Sequence, residues 1–365
     1  MNLYALSVVV FVIKGVNGLT ITSFKTSPNI PVILGPSNIS LSCSYTPDTG
    51  DFVSSITIQA NINNAFVGIA TFYPPVLGRD PIFPVGSYLK DRVSLTNPTS
   101  SAANIPTQAI MTFNIIKCED EKQYKCFINC DNLGTPQTRE LATTIVVKGK
   151  PAIPDTIPIM SPQQGKEEGQ NVSFTCTGNV GKPAGRFRWT KYRGPVGTDY
   201  TGVTTTAVQM PGTCTFNITS VFTTTLEAAD NKAIIRCTVD QELAAPDTLY
   251  KETQPESLTV YYKVRMIMLT KCPDYPSYAA GAGKITLTCS AEGNPLPTYK
   301  WYIQSDMNTV IGSGNTLVVV YLVQNTVIYV CVASNSYTGK YFDQTAVLAI
   351  NIVYSSTQLP NTTLV

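Results

Sequence analysis

An all-β fold built from β-sandwiches is predicted for this chain by three observations. Cysteines lie inside runs of apolar–polar alternation, the period of a half-buried strand. A tryptophan follows such a cysteine by about a dozen residues. Proline (25) and glycine (24) are spread among segments rich in Thr, Val and Ile, as expected of short strands joined by turns. Residues 284–335 show the pattern most fully. Ile285, Leu287 and Cys289 alternate with small polar residues, Trp301 follows, and Tyr329, Cys331 and Ala333 share one face of a second strand. Two such strands with one cysteine each suggest two sheets bridged by a disulfide, with the indole packed against it.

These residues resemble the immunoglobulin superfamily. The Cys…Trp…Tyr-x-Cys-x-Ala-x-Asn pattern, with Gly293-Asn294-Pro295-Leu296-Pro297 ahead of Trp301, is similar to its C2/I-type domains. Where that family usually has Asp six residues before the second cysteine, Asn325 stands here, an alternative turn-holding residue that forgoes a buried ion pair. The resemblance extends over nearly all of the chain. It implies three tandem immunoglobulin-like sandwiches in a semi-extended rod.

In chain order, residues 1–18 read as a secretory signal. The apolar run from Leu6 to Ile13 is too short to span a bilayer, and Val16-Asn17-Gly18 offers a cleavage site. The competing reading, a first strand or anchor helix, draws on the missing basic residue ahead of the run and on Lys14 after it. The first domain, 19–148, alternates at Ile39, Leu41, Cys43 and Tyr45 and again at Ala109, Met111, Phe113 and Ile115. Asp120, Tyr124 and Cys126 match the family's Asp-x-x-x-Tyr-x-Cys signature. The cysteines are 83 apart, which leaves room for the extra strands of a variable-type domain. Asp91-Arg92-Val93-Ser94-Leu95 resembles strand D of that type, and Ile56 or Ile58 replaces its tryptophan. Residues 141–147 are expected to be the last strand. The second domain, 149–262, has Val172, Phe174, Cys176 and Trp189, with Ile235 in place of the tyrosine before Cys237 and 258–262 as its final strand. The third, 263–354, ends on a strand over 346–353, and a tail at 355–365 lacks any pattern. No run of about 18 apolar residues occurs, so no transmembrane helix is expected.

The family pattern implies the pairs Cys43–Cys126, Cys176–Cys237 and Cys289–Cys331, with Trp189, Trp301, Tyr124 and Tyr329 as core residues. Cys118, Cys130, Cys214 and Cys272 remain. In an immunoglobulin sandwich Cys118 lies low in its domain and Cys130 near the top, some 26 Å apart at strand spacing, too far for a bridge. A clamp between Cys118 and Cys214 across the first junction is the pairing expected. Cys130 and Cys272 are then free or bonded to another chain; alternatively the extra bridges lie within domains. Asn38, Asn171, Asn217 and Asn361 begin glycosylation sequons, and the first three alternate away from apolar neighbours.

Charged residues make up only 14%, and Lys plus Arg (26) nearly balance Asp plus Glu (24), so no nucleic-acid partner is expected. Histidine is absent, which removes Ser-His-Asp and Cys-His catalysis and His-ligated metal sites. Gly281-Ala282-Gly283-Lys284 falls short of a phosphate loop, with Tyr278 and Ile285 at its key positions and a strand following it. The acidic run 119–121 lacks the spacing of a calcium loop, and Thr363-Leu364-Val365 only superficially resembles a PDZ-binding tail. No enzyme, cofactor or small-molecule substrate is expected. Fold-level analogy points to extracellular protein–protein recognition, as in cell adhesion or a surface receptor's ectodomain. The protein ligand, like or unlike this chain, would meet the first domain's exposed sheet or its loops at 46–53 and 131–137. The alternative is a secreted, soluble immune-type recognition factor.

Overall fold

The computed structural model describes residues 18–28, 31–83, 89–163, 166–254, 258–281, 283–321 and 323–354. Of the predicted signal only Gly18 is among them; residues 1–17, the tail and Asn361 lie outside. Within them the chain forms three successive two-sheet sandwiches, each around its own apolar core.

In the first sandwich the back sheet runs Thr20–Ser27, Gly35–Thr46, Thr107–Ile116, Val93–Thr96, and the front sheet Ala65–Phe72, Asp51–Ile62, Gln123–Asn132, Thr135–Thr144. The second has a back sheet around Asn171–Asn179 and Phe216–Thr225. Its front sheet is Val196–Tyr200, Arg186–Arg193, Ile234–Asp240, Tyr250–Glu252. In the third, Tyr262–Cys272, Gly283–Asn294 and Thr316–Tyr321 form the back, and Thr298–Ile303, Asn325–Tyr337 and Lys340–Val353 are the main front strands.

One disulfide crosses each core from back to front. Cys43–Cys126, Cys176–Cys237 and Cys289–Cys331 have Cα–Cα separations of 6.1, 6.6 and 6.5 Å. Trp189 and Trp301 lie beside Cys237 and Cys331 in the strand register and are fully buried. Each indole N–H is satisfied, by Ser220 Oγ and by the Gly314 carbonyl, both at 2.9 Å, as a buried donor requires. In the first sandwich Ile58 pairs with Cys126 and takes the tryptophan's place, with Ile56 beside it in the core.

Buried ion pairs secure the strand entries of the first two sandwiches. Asp120, fully buried, receives two hydrogen bonds from Arg92 (2.8 and 3.1 Å), and Tyr124 Oη donates to its carbonyl at 3.0 Å. Asp230, equally buried, is held by Lys191 and Arg193 at 3.0 and 2.8 Å. In the third sandwich Asn325 does not hold a turn: it is exposed and already inside a strand, paired with Ile352.

Several expectations need correction. The first domain's last long strand is Thr135–Thr144, not 141–147; the short Val147–Lys148 instead pairs in parallel with Val32–Ile33. Residues 258–260 are not a strand, because the side chain of Asn231 takes the Val260 amide and Tyr250–Glu252 fills the sheet edge; Tyr261 makes a single parallel bridge with Glu167. Tyr329 is only half-buried against its core, not fully enclosed like Tyr124.

Cys118 and Cys214 are bonded across the first junction, 5.6 Å apart at Cα, and Cys214 is buried with the first core. Glu121 reinforces the junction by accepting from Lys182 Nζ (2.7 Å) and the Val147 amide (2.8 Å). Gly181 is required there: its φ is +79°, and a Cβ would lie 2.7 Å from the Gly149 carbonyl oxygen. At the second junction Asn294 Nδ2 donates to Asn231 Oδ1 (3.2 Å) and the Val260 carbonyl (2.7 Å), and Lys340 Nζ donates to Glu167 (3.0 Å). Tyr261, Tyr337 and Phe342 stack with centroids 5.7 and 5.0 Å apart.

Burial alone would raise the Asp230 carboxyl, but hydrogen bonds from Arg193, the Glu227 amide and Lys191 outweigh it and hold it below the usual carboxylate range. An unfolded aspartate titrates near about 3.9. The stabilisation is therefore complete above about pH 4 and is lost as pH falls through the lower folded value. Melting of the second sandwich, followed by tryptophan fluorescence, is expected to weaken below about pH 4. Asp230→Asn is expected to flatten that decline while lowering stability at neutral pH.

Candidate protein-binding surface

The outward face of the first front sheet is set by parity with Cys126. Cys126, Ile128 and Ile58 point into the core, so Lys125, Phe127, Asn129, Thr57 and Gln59 point out. The face is polar at its centre. Lys125 pairs with Glu140 at 3.0 Å and lies 4.3 Å from the centroid of the Phe66 ring. Asn129 donates to Ser55 Oγ at 3.1 Å, and Phe127 is half-buried among these groups.

The two loops predicted for contact are shorter than 46–53 and 131–137, because strands reach to Thr46, begin again at Asp51, and are broken only by Leu133-Gly134. They do meet at one end of the sandwich. Asn132 Nδ2 donates to Asp51 Oδ1 at 2.8 Å, and the Leu133 amide donates to the Gly50 carbonyl at 3.3 Å. Three carboxylates gather there, each engaged by a backbone amide: Asp48 by Gly18, Asp51 by Asp48, and Asp131 by Gly134. They hold turns, and no metal-ligating cluster exists among the described residues.

Leu133 was not anticipated as an individual contact residue. With φ values of 50° and 84°, Leu133 and Gly134 form a two-residue hairpin turn in left-handed backbone. The hairpin at Asn63-Asn64 has the same geometry with the residues that favour it. Leucine there costs about 1 kcal/mol, and Leu133 is also 84% exposed, with Phe52, the register partner of Asp131, 48% exposed. The Leu-Gly step between two strands was the available signal.

Cys130 lies on the same strand, four residues past Cys126 and so on the same, inward side. It is buried and its Sγ approaches the Gln137 carbonyl at 3.6 Å, so it is not presented to another chain. Burial, Asp51 and Asp131 push its thiol up against the opposing pull of Arg139. Cys272 is exposed at the end of a back strand. Asn38 and Asn171 are exposed on back sheets, while Asn217 is half-buried with its side-chain oxygen enclosed and unpartnered.

Tandem disulfide-pinned sandwiches that present flat sheet faces and hairpin tips define a class of extracellular binding modules. Residues 158–247 match the CD80-like C2-set immunoglobulin domain, and residues 269–348 match the immunoglobulin domain. The chain is similar to Cell adhesion molecule 3 of Xenopus laevis, 25% identical over 237 residues, covering 63% of this chain and 55% of that protein. It is also similar to Nectin-2 of Mus musculus, 25% identical over 319 residues, covering 83% of this chain and 53% of that one. Among solved structures, the full ectodomain (Ig1-Ig3) of mouse nectin-like molecule 4 shares the fold, with TM-score 0.50 and 20% identity over 92% of this chain and 99% of that one. The chain belongs to the immunoglobulin superfamily. It spans about half the length of these two relatives. No helix of the described residues is long and apolar enough to cross a membrane.

Replacing Leu133 with Asn relieves the left-handed strain. Leu133→Asn is expected to raise the stability of the first sandwich by about 1 kcal/mol in urea unfolding. An unchanged or lower midpoint would show that the turn stores no strain.

Proposed function

We propose that this protein is an extracellular recognition protein that binds a protein partner through its first domain, in cell–cell adhesion or as the outer part of a surface receptor. The proposed domains span 19–148, 149–262 and 263–354. The partner is a second copy or a different protein. The observation that carries this reading is the first sandwich's tip, where exposed Leu133 and Phe52 stand beside Asp48, Asp51 and Asp131. An apolar anchor ringed by acidic groups suits a basic surface with an apolar pocket. The adhesion-molecule relatives support the general class of function. Glycans on Asn38, Asn171 and Asn217 would lie on back sheets and leave the front sheets free. The chain acts by binding, without catalysis or cofactor.

The test clusters the biotinylated chain, exported from animal cells, on streptavidin. It is presented to a surface coated with the same chain and to animal cell monolayers. Binding is expected to fall at least tenfold with Leu133→Asp, about the effect of losing one interface hot spot. It should be unchanged by Val203→Asp on the second sandwich, where Val203 is 81% exposed. Binding that ignores Leu133 and is lost with a second-domain change would reverse the assignment.

A further inference from the structure

The third sandwich carries an apolar face that the first-domain reading does not use. Parity with Cys331, Trp301 and Leu348 sends Tyr302, Ile328, Val330, Val332, Val347 and Ala349 outward from the front sheet. Tyr302, Val330 and Val347 are direct register partners across three strands. Val347 is 59% exposed. Val330 is only 2% exposed yet belongs to no core cluster, as expected of the middle of a flat apolar patch. The matching face of the first sandwich is polar around Lys125 and Glu140, and that of the second holds Arg188 and Arg236 with acidic partners. No glycosylation sequon falls within 263–354. Val347 and Ala349 are exposed and Tyr302, Ile328 and Val332 partly so around the enclosed Val330, and an apolar face of this kind on one domain marks a contact surface.

The charges at its margin select the occupant. Lys300 lies on one flanking strand, Thr298–Ile303, and Asp343 on the other, Lys340–Val353, both exposed and pointing outward. Neither has an ion-pair partner among the described residues. They sit one outward row apart: Lys300 aligns with Val332 and Thr345, and Asp343 with Ser334 and Thr298. A two-fold axis along the central strand Asn325–Tyr337 would place each flanking strand over the opposite flank of a second copy. Each Lys300 then meets Asp343 of the other copy, within a lysine's reach at the about 10 Å spacing of stacked sheets. A patch with an apolar middle and oppositely signed flanks is self-complementary under that operation.

We propose that the front sheet of the third domain is a weak self-association surface, on which a second copy of this chain packs face to face. Three strands with about three outward residues each, as on Thr298–Ile303, offer roughly 300 Å² of sheet, against about 800 Å² per partner in a standard interface. The dimer is therefore weak in solution and matters where many copies are crowded, adding avidity to whatever the first domain binds. This inference is independent of the first-domain proposal.

Sedimentation equilibrium of the whole exported chain tests it, at about 10–500 µM, in low salt and with free thiols alkylated. The expected result is a reversible dimer, weakened at least tenfold by Val347→Glu and by Lys300→Asp. The double exchange Lys300→Asp with Asp343→Lys is expected to restore the dimer, which also excludes misfolding as the cause of the single effect. Leu133→Asp should dimerise like the unaltered chain. A strictly monomeric chain, or a dimer indifferent to Val347→Glu and Lys300→Asp, would overturn the proposal. So would self-association that vanishes with Leu133→Asp, or that appears only when Cys272 is left unalkylated.

Discussion

The cross-sheet disulfide of each sandwich is the constraint from which its surfaces follow. A strand has a period of two, so a slip of one residue would exchange its whole inner and outer sets. Bonding Cys126 to Cys43 pins the central front strand and leaves Lys125, Phe127 and Asn129 on the outside. Bonding Cys331 to Cys289 does the same for Val330 and Val332. The outward faces thus differ in chemistry although the frame is repeated. Polar groups crowd the first face, an ion-pair ladder the second, and aliphatic side chains the third.

Between the sandwiches the connections are built from bonds of different kinds. The first junction combines a covalent link with Glu121, which ties the Val147 amide to Lys182. Closing a loop of 96 residues stabilises by about 4–5 kcal/mol in the chain-entropy account. The second junction has no covalent link among the described residues; Asn294, bonded to Asn231 and the Val260 carbonyl, and the Tyr261–Tyr337–Phe342 stack take its place. A contact made at the outer tip is therefore carried on a framework that restrains bending at each joint.

Much of this was legible in the sequence because it rests on parity and spacing. Cysteine, tryptophan and the Asp-x-x-x-Tyr-x-Cys run announce a core directly. The low position of Cys118 and the high position of Cys214 in their domains pointed to the junction where they meet. Other features were hidden for physical reasons. Thr135–Thr144 is a polar edge strand whose outward residues carry no alternation, so its start was missed. Residues 258–262 have strand-like composition, but the Asn231 side chain claims the Val260 amide a sheet would have used, and the next strand starts only at Tyr262. Cys130 could have been placed, since even spacing from Cys126 puts it on the buried side. The apolar run 327–333 could not, because an unbroken stretch does not tell a doubly buried strand from one with an uncovered face.

The frame itself is tested most directly by mapping disulfide-linked peptides from the non-reduced, alkylated protein after export from animal cells. The account predicts four linked pairs: Cys43 with Cys126, Cys176 with Cys237, Cys289 with Cys331, and Cys118 with Cys214. Cys272 should be alkylated in the native protein, and Cys130 only after unfolding. A Cys118 or Cys214 peptide linked elsewhere, or both thiols free, would contradict the clamped junction; a different partner for Cys126 or Cys331 would contradict the assignment of the outward faces.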